Sequence, residues 1–387
     1  MLSGLFASPV AIILFSLILI NNFDKIDFKQ IYKKKLEITF FSWLLISCIW
    51  SLAGIDAFTK FLSIIYIAFG VSFITQKNWC KDVDLEKTFF IPLVLGGIVA
   101  ILLFIVEYMT EGSISLSFRN IFQNSNRHHF AMHFLDRGCS VLSMLSWPII
   151  YFLIKKRYFI LSAIYFGCVC YALSISDSLA SYLAFILGAG VFAMTCIIRS
   201  FAAYVMIALV IFMAATLPIF SSMQSPRDLS DKYYQAPDSG KHRLFIWKFT
   251  ATKALEKPVF GWGFNSSQDI PVDEEVDVIY FHQYKWYPLP LHPHNNFMQI
   301  WIECGVVGLV LFALMLVKLI FRVKKVYAKK HNLLWLSSAL GCFMNYLFIS
   351  MISYGLWQMW WVSVSAMTLI LFDLLAHLGR KGVEQEL

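Results

Sequence analysis

The stretch Leu291–Phe312, LHPHNNFMQIWIECGVVGLVLF, sets two histidines and two asparagines directly against a long apolar run. An apolar run of about 20 residues crosses a bilayer as a helix, because the hydrocarbon core is about 30 Å thick and each backbone polar group inside it must be paired within the segment. The run from Met298 onward therefore reads as a membrane helix, with His292 and His294 at its lip. The rest of the chain repeats this pattern: of 387 residues, 59% are hydrophobic and only 14% charged, too apolar for a soluble domain of this size. About eleven such runs cover residues 5–22, 38–54, 57–75, 88–108, 138–154, 158–174, 180–198, 202–221, 298–321, 333–353 and 358–377. They predict an all-α fold, a polytopic transmembrane bundle of about 11–12 helices with one large extracytoplasmic loop containing amphipathic helices.

Basic residues fall on alternate connections: Lys29 with Lys33, Lys34 and Lys35; Lys77 with Lys81; Lys155, Lys156 and Arg157; Arg322, Lys324, Lys325, Lys329 and Lys330; then Arg380 and Lys381 in the tail. The positive-inside rule puts these loops in the cytoplasm, which accounts for the net charge of +8 without a nucleic-acid partner. Three parts follow: N-terminal membrane helices over 1–221, a large outer loop over 222–297 that carries the candidate site, and C-terminal membrane helices over 298–387. The opening segment, MLSGLFASPVAIILFSLILINN, has no positive n-region and no small-residue cleavage site, and is expected to remain as a membrane helix. Cysteines 48, 139, 168, 170, 196, 304 and 342 lie in or beside apolar runs, form no C-x-x-C pair, and read as small buried residues. There is no internal repeat, low-complexity tract or glycine-rich nucleotide loop.

The outer loop is the one stretch large enough to build a site, and its charges are mixed: eight basic and nine acidic residues between Met223 and Met298. Within it, SGKHRLFIWKFTATKALEKP (Ser239–Pro258) reads as an amphipathic helix capped by Asp238 or Ser239 and closed by Pro258. Leu244, Trp247, Ala251, Ala254 and Leu255 form its expected apolar face, and Arg243 neighbours Trp247 one turn on. Then PVFGWGFNSS (Pro258–Ser267) makes a glycine-punctuated turn where backbone can approach closely. A smaller loop, about 109–137, faces the same side with Arg119, Arg127, His128, His129, His133, Asp136 and Arg137.

His292 and His294 suit one side of an extended chain, but no H-E-x-x-H motif or cysteine accompanies them, and Asp273, Glu274, Glu275 and Asp277 read as a solvated acidic turn; no metal is expected. His294 has two readings. One is an interfacial residue beside a helix capped by Asn295 or Asn296; the other is a neutral imidazole at the bilayer lip that takes a proton from a hydroxyl. Arg243 is either a snorkelling surface arginine or a two-pronged phosphate clamp. Arg137, at the outer edge of its helix, needs an anionic partner, either Asp136 or a ligand. Glu303 inside the membrane helix reads as structural, orienting a site residue or pairing an arginine. Trp286, Tyr287 and Trp301 fit an interfacial aromatic belt better than a sugar-stacking platform.

Together these residues resemble the O-antigen ligase and polymerase superfamily of bacterial inner-membrane glycosyltransferases. His294 and Asn295, nine residues, Gly305, two residues and Gly308 match the ligase signature in full. HRLFIWKFTATKALEKPVFGWGF (His242–Phe264) is similar to the family's arginine-led helix ending in Pro-x-x-Gly-x-Gly, with Arg243, Trp247, Pro258, Gly261 and Gly263 on the matching positions. One departure concerns an outer turn where members often carry an arginine: SISDSLASYL (Ser174–Leu183) has Asp177 and Ser178 there and no basic residue, so Arg137 is read as its substitute. The resemblance implies transfer of a glycan from an undecaprenyl diphosphate donor to a hydroxyl of the lipid A core, on the periplasmic face, without cofactor or metal. His294 would be the base, and Arg243, Arg137, His292, Asn295 and Trp247 the substrate contacts. A polymerase or a protein O-oligosaccharyltransferase would use the same groups. A transporter or flippase would instead cluster charge at mid-membrane on broken helices.

Overall fold

The computed structural model describes residues 2–22, 27, 29–30, 33–76, 83–123, 132–176, 178–223, 225, 238–274, 277–281, 284–289 and 291–376. Arg127, His128, His129, Asp177, Glu275, Lys77, Lys81, Arg380 and Lys381 lie outside these residues, as do the side chains of Arg119, His133 and Trp286.

Every apolar run coincides with a helix. In order they are α1 (Leu2–Asn21), α2 (Lys35–Ser47, continued by a 3-10 turn over Cys48–Trp50), α3 (Ile55–Ile74), α4 (Ile91–Met109, entered through a π turn at Glu86–Phe90), α5 (Ser113–Gln123), α6 (Asp136–Lys155), α7 (Phe159–Ile175), α8 (Leu179–Ile198), α9 (Phe201–Met223), α10 (Asp238–Glu256), α11 (Asn296–Lys330), α12 (Leu333–Ile352) and α13 (Met359–Leu375). Among the described residues, seven helices are long and apolar enough to cross a membrane, and α7 and α13 are apolar but shorter. With 13 residues, α2 reaches only about 20 Å, short of a full hydrocarbon core. The outer loop also holds a small antiparallel hairpin, β1 (Ile279–Phe281) on β2 (Tyr284–Trp286), and the smaller loop contains α5, neither of which the hydropathy pattern predicts. The protein is an all-α polytopic bundle, with this one short hairpin among the described residues.

Side-chain size sets how closely α8 and α12 cross. Gly188 of α8 and Gly341 of α12 face each other beneath Trp147, and a Cβ at Gly188 would come within 2.7 Å of the Gly341 carbonyl oxygen. Small residues let backbones meet in this way where lipid supplies no hydrophobic drive for association. Ion pairs gather the basic connections at one end of the bundle: Lys318 bonds Glu37 at 2.6 Å, Arg322 bonds Asp373 at 3.0 Å, and Lys156 pairs with Glu86.

Three sequence expectations need correction. Helix α10 buries Phe245, Ile246, Phe249, Thr250, Ala251 and Ala254, whereas Leu255 is 54% exposed; the two adjacent phenylalanine and isoleucine positions outweigh the smaller stripe and rotate the buried face. Trp301 is 7% exposed within the core and belongs to no interfacial belt. Finally, α11 is not one continuous span. Its backbone breaks at Gly305 (φ 68°, ψ −172°), and its far half continues in helical form to Lys330.

The break has a visible cause. The glycine-punctuated turn after α10 docks against it: Trp262 N–H donates to the Ile302 carbonyl and Gly263 N–H to the Glu303 carbonyl, both at 2.8 Å, while Val306 N–H donates to the Pro258 carbonyl at 2.9 Å. The backbone groups released by the kink are thus satisfied by the loop, as burial demands. Any Cβ on Gly305 would fall on the Val259 carbonyl, and one on Gly261 would fall on Glu303. Ser51 Oγ–H closes the far side by donating to the Phe264 carbonyl at 2.6 Å.

Candidate active site

His292 and His294 sit on the segment between the hairpin and α11, and Asn295 fixes where that helix starts. Its side-chain oxygen accepts from Phe297 N–H at 3.0 Å and Met298 N–H at 3.1 Å, an N-cap of a kind worth about 1 kcal/mol. One residue earlier the chain turns through a positive φ of 54° at His294, a conformation uncommon outside glycine and more frequent for His, Asn and Asp. Trp247 of α10 steadies the same segment, donating its indole N–H to the Pro293 carbonyl at 2.9 Å. The Asn295 side-chain oxygen and the Trp247 indole N–H are therefore committed to backbone.

The turn between α12 and α13 supplies the partner for both imidazoles. His294 Nδ1 lies 2.6 Å from the Ser353 carbonyl oxygen and His292 Nε2 lies 3.4 Å from it, with the two rings 4.3 Å apart between centroids. A carbonyl only accepts, so Nδ1 of His294 carries the proton and its Nε2 keeps a lone pair when the ring is neutral. Gly355 lies beneath His292, where a Cβ would meet the ring at 3.0 Å.

Glu303 anchors this turn from inside α11. It is fully buried, and its carboxylate accepts from Asn265 N–H at 2.9 Å, Gln299 Nε2 at 3.0 Å, Trp357 Nε1 at 2.5 Å and Ser267 Oγ. Gln299 in turn accepts from Leu356 N–H at 2.7 Å. Glu303 ties the glycine turn and the Leu356–Trp357 turn to one helix, and no arginine is among these partners.

Both arginines enter the same electrostatic neighbourhood. Burial holds the His294 pKa below the usual imidazole value; the Ser353 hydrogen bond opposes this, and the charges of Arg243 and His242 add to it. Burial, then His294, lowers His292 to about 4, with Arg243 and Arg137 contributing in the same direction against the Ser353 carbonyl. Burial also lowers Arg243, while Asp136 and Tyr354 pull the other way. Its Nε is buried with no hydrogen-bond partner among the described residues. Arg137 is exposed at the start of α6, its guanidinium 5.8 Å above the Trp360 ring.

The turn expected to carry an arginine packs beside Arg137. Cys139 Sγ meets Ser176 Oγ at 3.0 Å, Ser140 Oγ meets Ser181 Oγ at 2.8 Å, and Ser140 also meets the Tyr354 hydroxyl at 3.1 Å. The α7–α8 turn, the first turn of α6 and the Ser353–Gly355 turn thus adjoin. Sequence reasoning missed Ser353, Tyr354 and Gly355, since a backbone carbonyl and a packing glycine carry no side-chain signature. Among the described residues, no three His, Cys, Asp or Glu side chains converge on a point that could hold a metal ion.

A family model described as O-antigen ligase matches residues 163–313, a region that holds Arg243, both histidines, Gly305 and Gly308 but not Arg137 or Ser353. A protein of Rickettsia felis provisionally named a polysaccharide ligase is 36% identical over 346 residues, covering 88% of this chain and 80% of its own. Similarly named proteins of Rickettsia bellii and Rickettsia conorii are 38% and 37% identical over 343 residues, covering 88% and 87% of this chain and 80% and 78% of theirs. With long relatives of this kind and the matching motif on the kinked helix, the chain belongs to the O-antigen ligase superfamily.

Proposed function

We propose that the protein transfers a glycan from undecaprenyl diphosphate to a hydroxyl of the lipid A core, at the periplasmic face of a bacterial inner membrane, with His294 as general base. The observation that carries this reading is the Nδ1 contact of His294 with the Ser353 carbonyl, which leaves Nε2 as a lone-pair acceptor within the field of Arg243, while Arg137 acts on the adjoining His292 ring. His294 Nε2 takes the proton of the acceptor hydroxyl as its oxygen attacks the anomeric carbon. The new glycosidic C–O bond forms as the C–O bond to the diphosphate breaks, inverting that carbon, and the diphosphate leaves with the electron pair. Arg243, whose buried Nε has no hydrogen-bond partner among the described residues, and Arg137 hold the charge that develops on it. His292 lies against the His294 ring, where it would contact the substrate; Asn295 and Trp247 hold the base in position. This chemistry needs no cofactor, because a lipid diphosphate is already a good leaving group once its charge is held.

Transfer from purified lipid-linked glycan, with lipid A core set against a free glycan end as acceptors, tests the reading. Product on the core alone supports a ligase, and product on the glycan end alone assigns a polymerase. Two further outcomes follow. Replacing Arg243 by Lys keeps the charge but removes the two-pronged geometry, so the KM for the donor is expected to rise by about tenfold, a loss near 1.4 kcal/mol; an unchanged KM would remove the clamp. The pH profile follows from the lowered His294 pKa. A base must be unprotonated, and a lowered pKa keeps it so at lower pH, so the acid limb of kcat/KM should have its midpoint below the ordinary imidazole value of 6.5. A midpoint at or above that value would contradict the buried, cation-flanked base.

A further inference from the structure

A cavity of about 850 Å³ opens between α2, α3, α11, α12 and α13, and runs from the basic end of the bundle to Leu356 and Trp357 of the turn between α12 and α13. Its size falls within the roughly 300–1,000 Å³ of sites that hold ligands. The walls are almost wholly apolar, with Phe40, Phe61, Ile64, Phe312, Leu340 and Phe343 among them. Three lining residues, Ile38, Leu45 and Leu369, are apolar and exposed, so the cavity is open at its side and not sealed within the bundle.

Its charged rim is unbalanced. Lys34, Lys318 and Arg322 line it together with Glu37. Lys318 is paired with Glu37 and Arg322 with Asp373, while the Lys34 ammonium donates to the Ser72 hydroxyl at 2.8 Å. Three cations thus meet two carboxylates, and Lys34 is the one whose described hydrogen bond goes to a neutral group. Burial, then the charge of Arg322, lowers the Lys34 pKa, with Lys318 adding to this against Glu37 and Asp373. An anion placed there would relieve both penalties.

We propose that this cleft binds an anionic phospholipid, its phosphate on Lys34 at the rim and its acyl chains along the apolar walls. The charge complementarity selects the head group, and the apolar opening at the side admits the chains from the bilayer itself. Basic pockets between membrane helices bind phospholipid head groups by the same combination. The charged rim lies at the basic end of the bundle, away from His294, while the apolar wall extends to Leu356 and Trp357; the head-group site on Lys34 does not depend on the glycosyl-transfer reading.

Native mass spectrometry of the full-length protein in detergent tests it, with phosphatidylglycerol, phosphatidylcholine and undecaprenol as probes. One phosphatidylglycerol is expected to be retained in preference to phosphatidylcholine. Lys34→Gln should weaken that retention about fivefold, the worth of one basic residue near a lipid surface, and Lys34→Arg should restore it. Ala68→Phe, on the cavity wall, should displace the lipid with Lys34 intact; retention in that variant would mean surface adsorption and overturn the site. Equal retention of the two phospholipids, or a preference untouched by Lys34→Gln, would overturn the role of the rim. Tighter retention of uncharged undecaprenol would assign the cleft to a polyprenyl chain, and displacement of the lipid by millimolar inorganic phosphate would reduce it to a phosphate site; either overturns the proposal.

Discussion

The His294→Ala protein is expected to accumulate and insert normally while glycan transfer falls by about 10²–10⁴-fold, the usual contribution of a positioned base. His294→Asn separates the two jobs of this ring. An asparagine amide N–H can still reach toward the Ser353 carbonyl but offers no basic nitrogen, so the local structure should survive and transfer should stay lost. Recovery of transfer in the asparagine variant would make His294 a structural residue of the helix start, the other reading its position allows. Because Asn295 alone caps α11 through its side-chain oxygen, removing the neighbouring imidazole leaves that cap in place.

Gly305→Ala carries the second large effect, and it tests the architecture. Gly305 sits at a φ of 68° with the Val259 carbonyl where a Cβ would be, so alanine meets both backbone strain and a collision with another backbone segment. Left-handed strain alone costs on the order of 1–3 kcal/mol. The collision adds to it, because the docked turn is held by three backbone hydrogen bonds around Ile302, Glu303 and Val306 and cannot retreat without breaking them. A lowered thermal unfolding midpoint together with lost transfer is the expected result. Gly190→Ala is the control, since nothing lies within 4 Å of the Cβ it would add. If Gly305→Ala matched that control in stability and transfer, the docking of turn on kink would not be what shapes the site.

The sequence made the helices legible because apolar length is a one-dimensional property, and it made the site legible where motif spacing fixes a local device. His294, Asn295 and Gly305 are of this kind: a cap, a turn and a kink on one segment. The partner groups could not be read in the same way. Ser353 acts through its carbonyl, which every residue possesses, and it reaches His294 only because Gln299 and Glu303 pin the turn from Leu356 to Trp357 across a distance of more than fifty residues in the chain. The face of α10 was misread for a related reason. Periodicity there offered overlapping apolar stripes, and the choice between them was made by what α9 and α11 present to the helix. Trp301 shows the same limit, since an aromatic near a helix start looks interfacial until the loop that covers it is known.

Glu303 illustrates how the two motifs depend on each other. Its backbone carbonyl receives Gly263 of the glycine turn and its carboxylate receives Asn265 and Ser267 from the same turn, so the arginine-led helix and the histidine-led helix are joined through one residue. The spacing within the two motifs is, in this chain, largely the spacing that docks the glycine turn on the kinked helix.

A structure of the protein with a glycan-linked undecaprenyl diphosphate bound measures the central claim directly. The account predicts the two phosphates within hydrogen-bonding reach of the guanidinium groups of Arg243 and Arg137, with the lone-pair nitrogen of His294 facing the carbon that leaves the diphosphate. Phosphates seated at the far end beside Lys34, or on any surface that Arg243 does not reach, would contradict it.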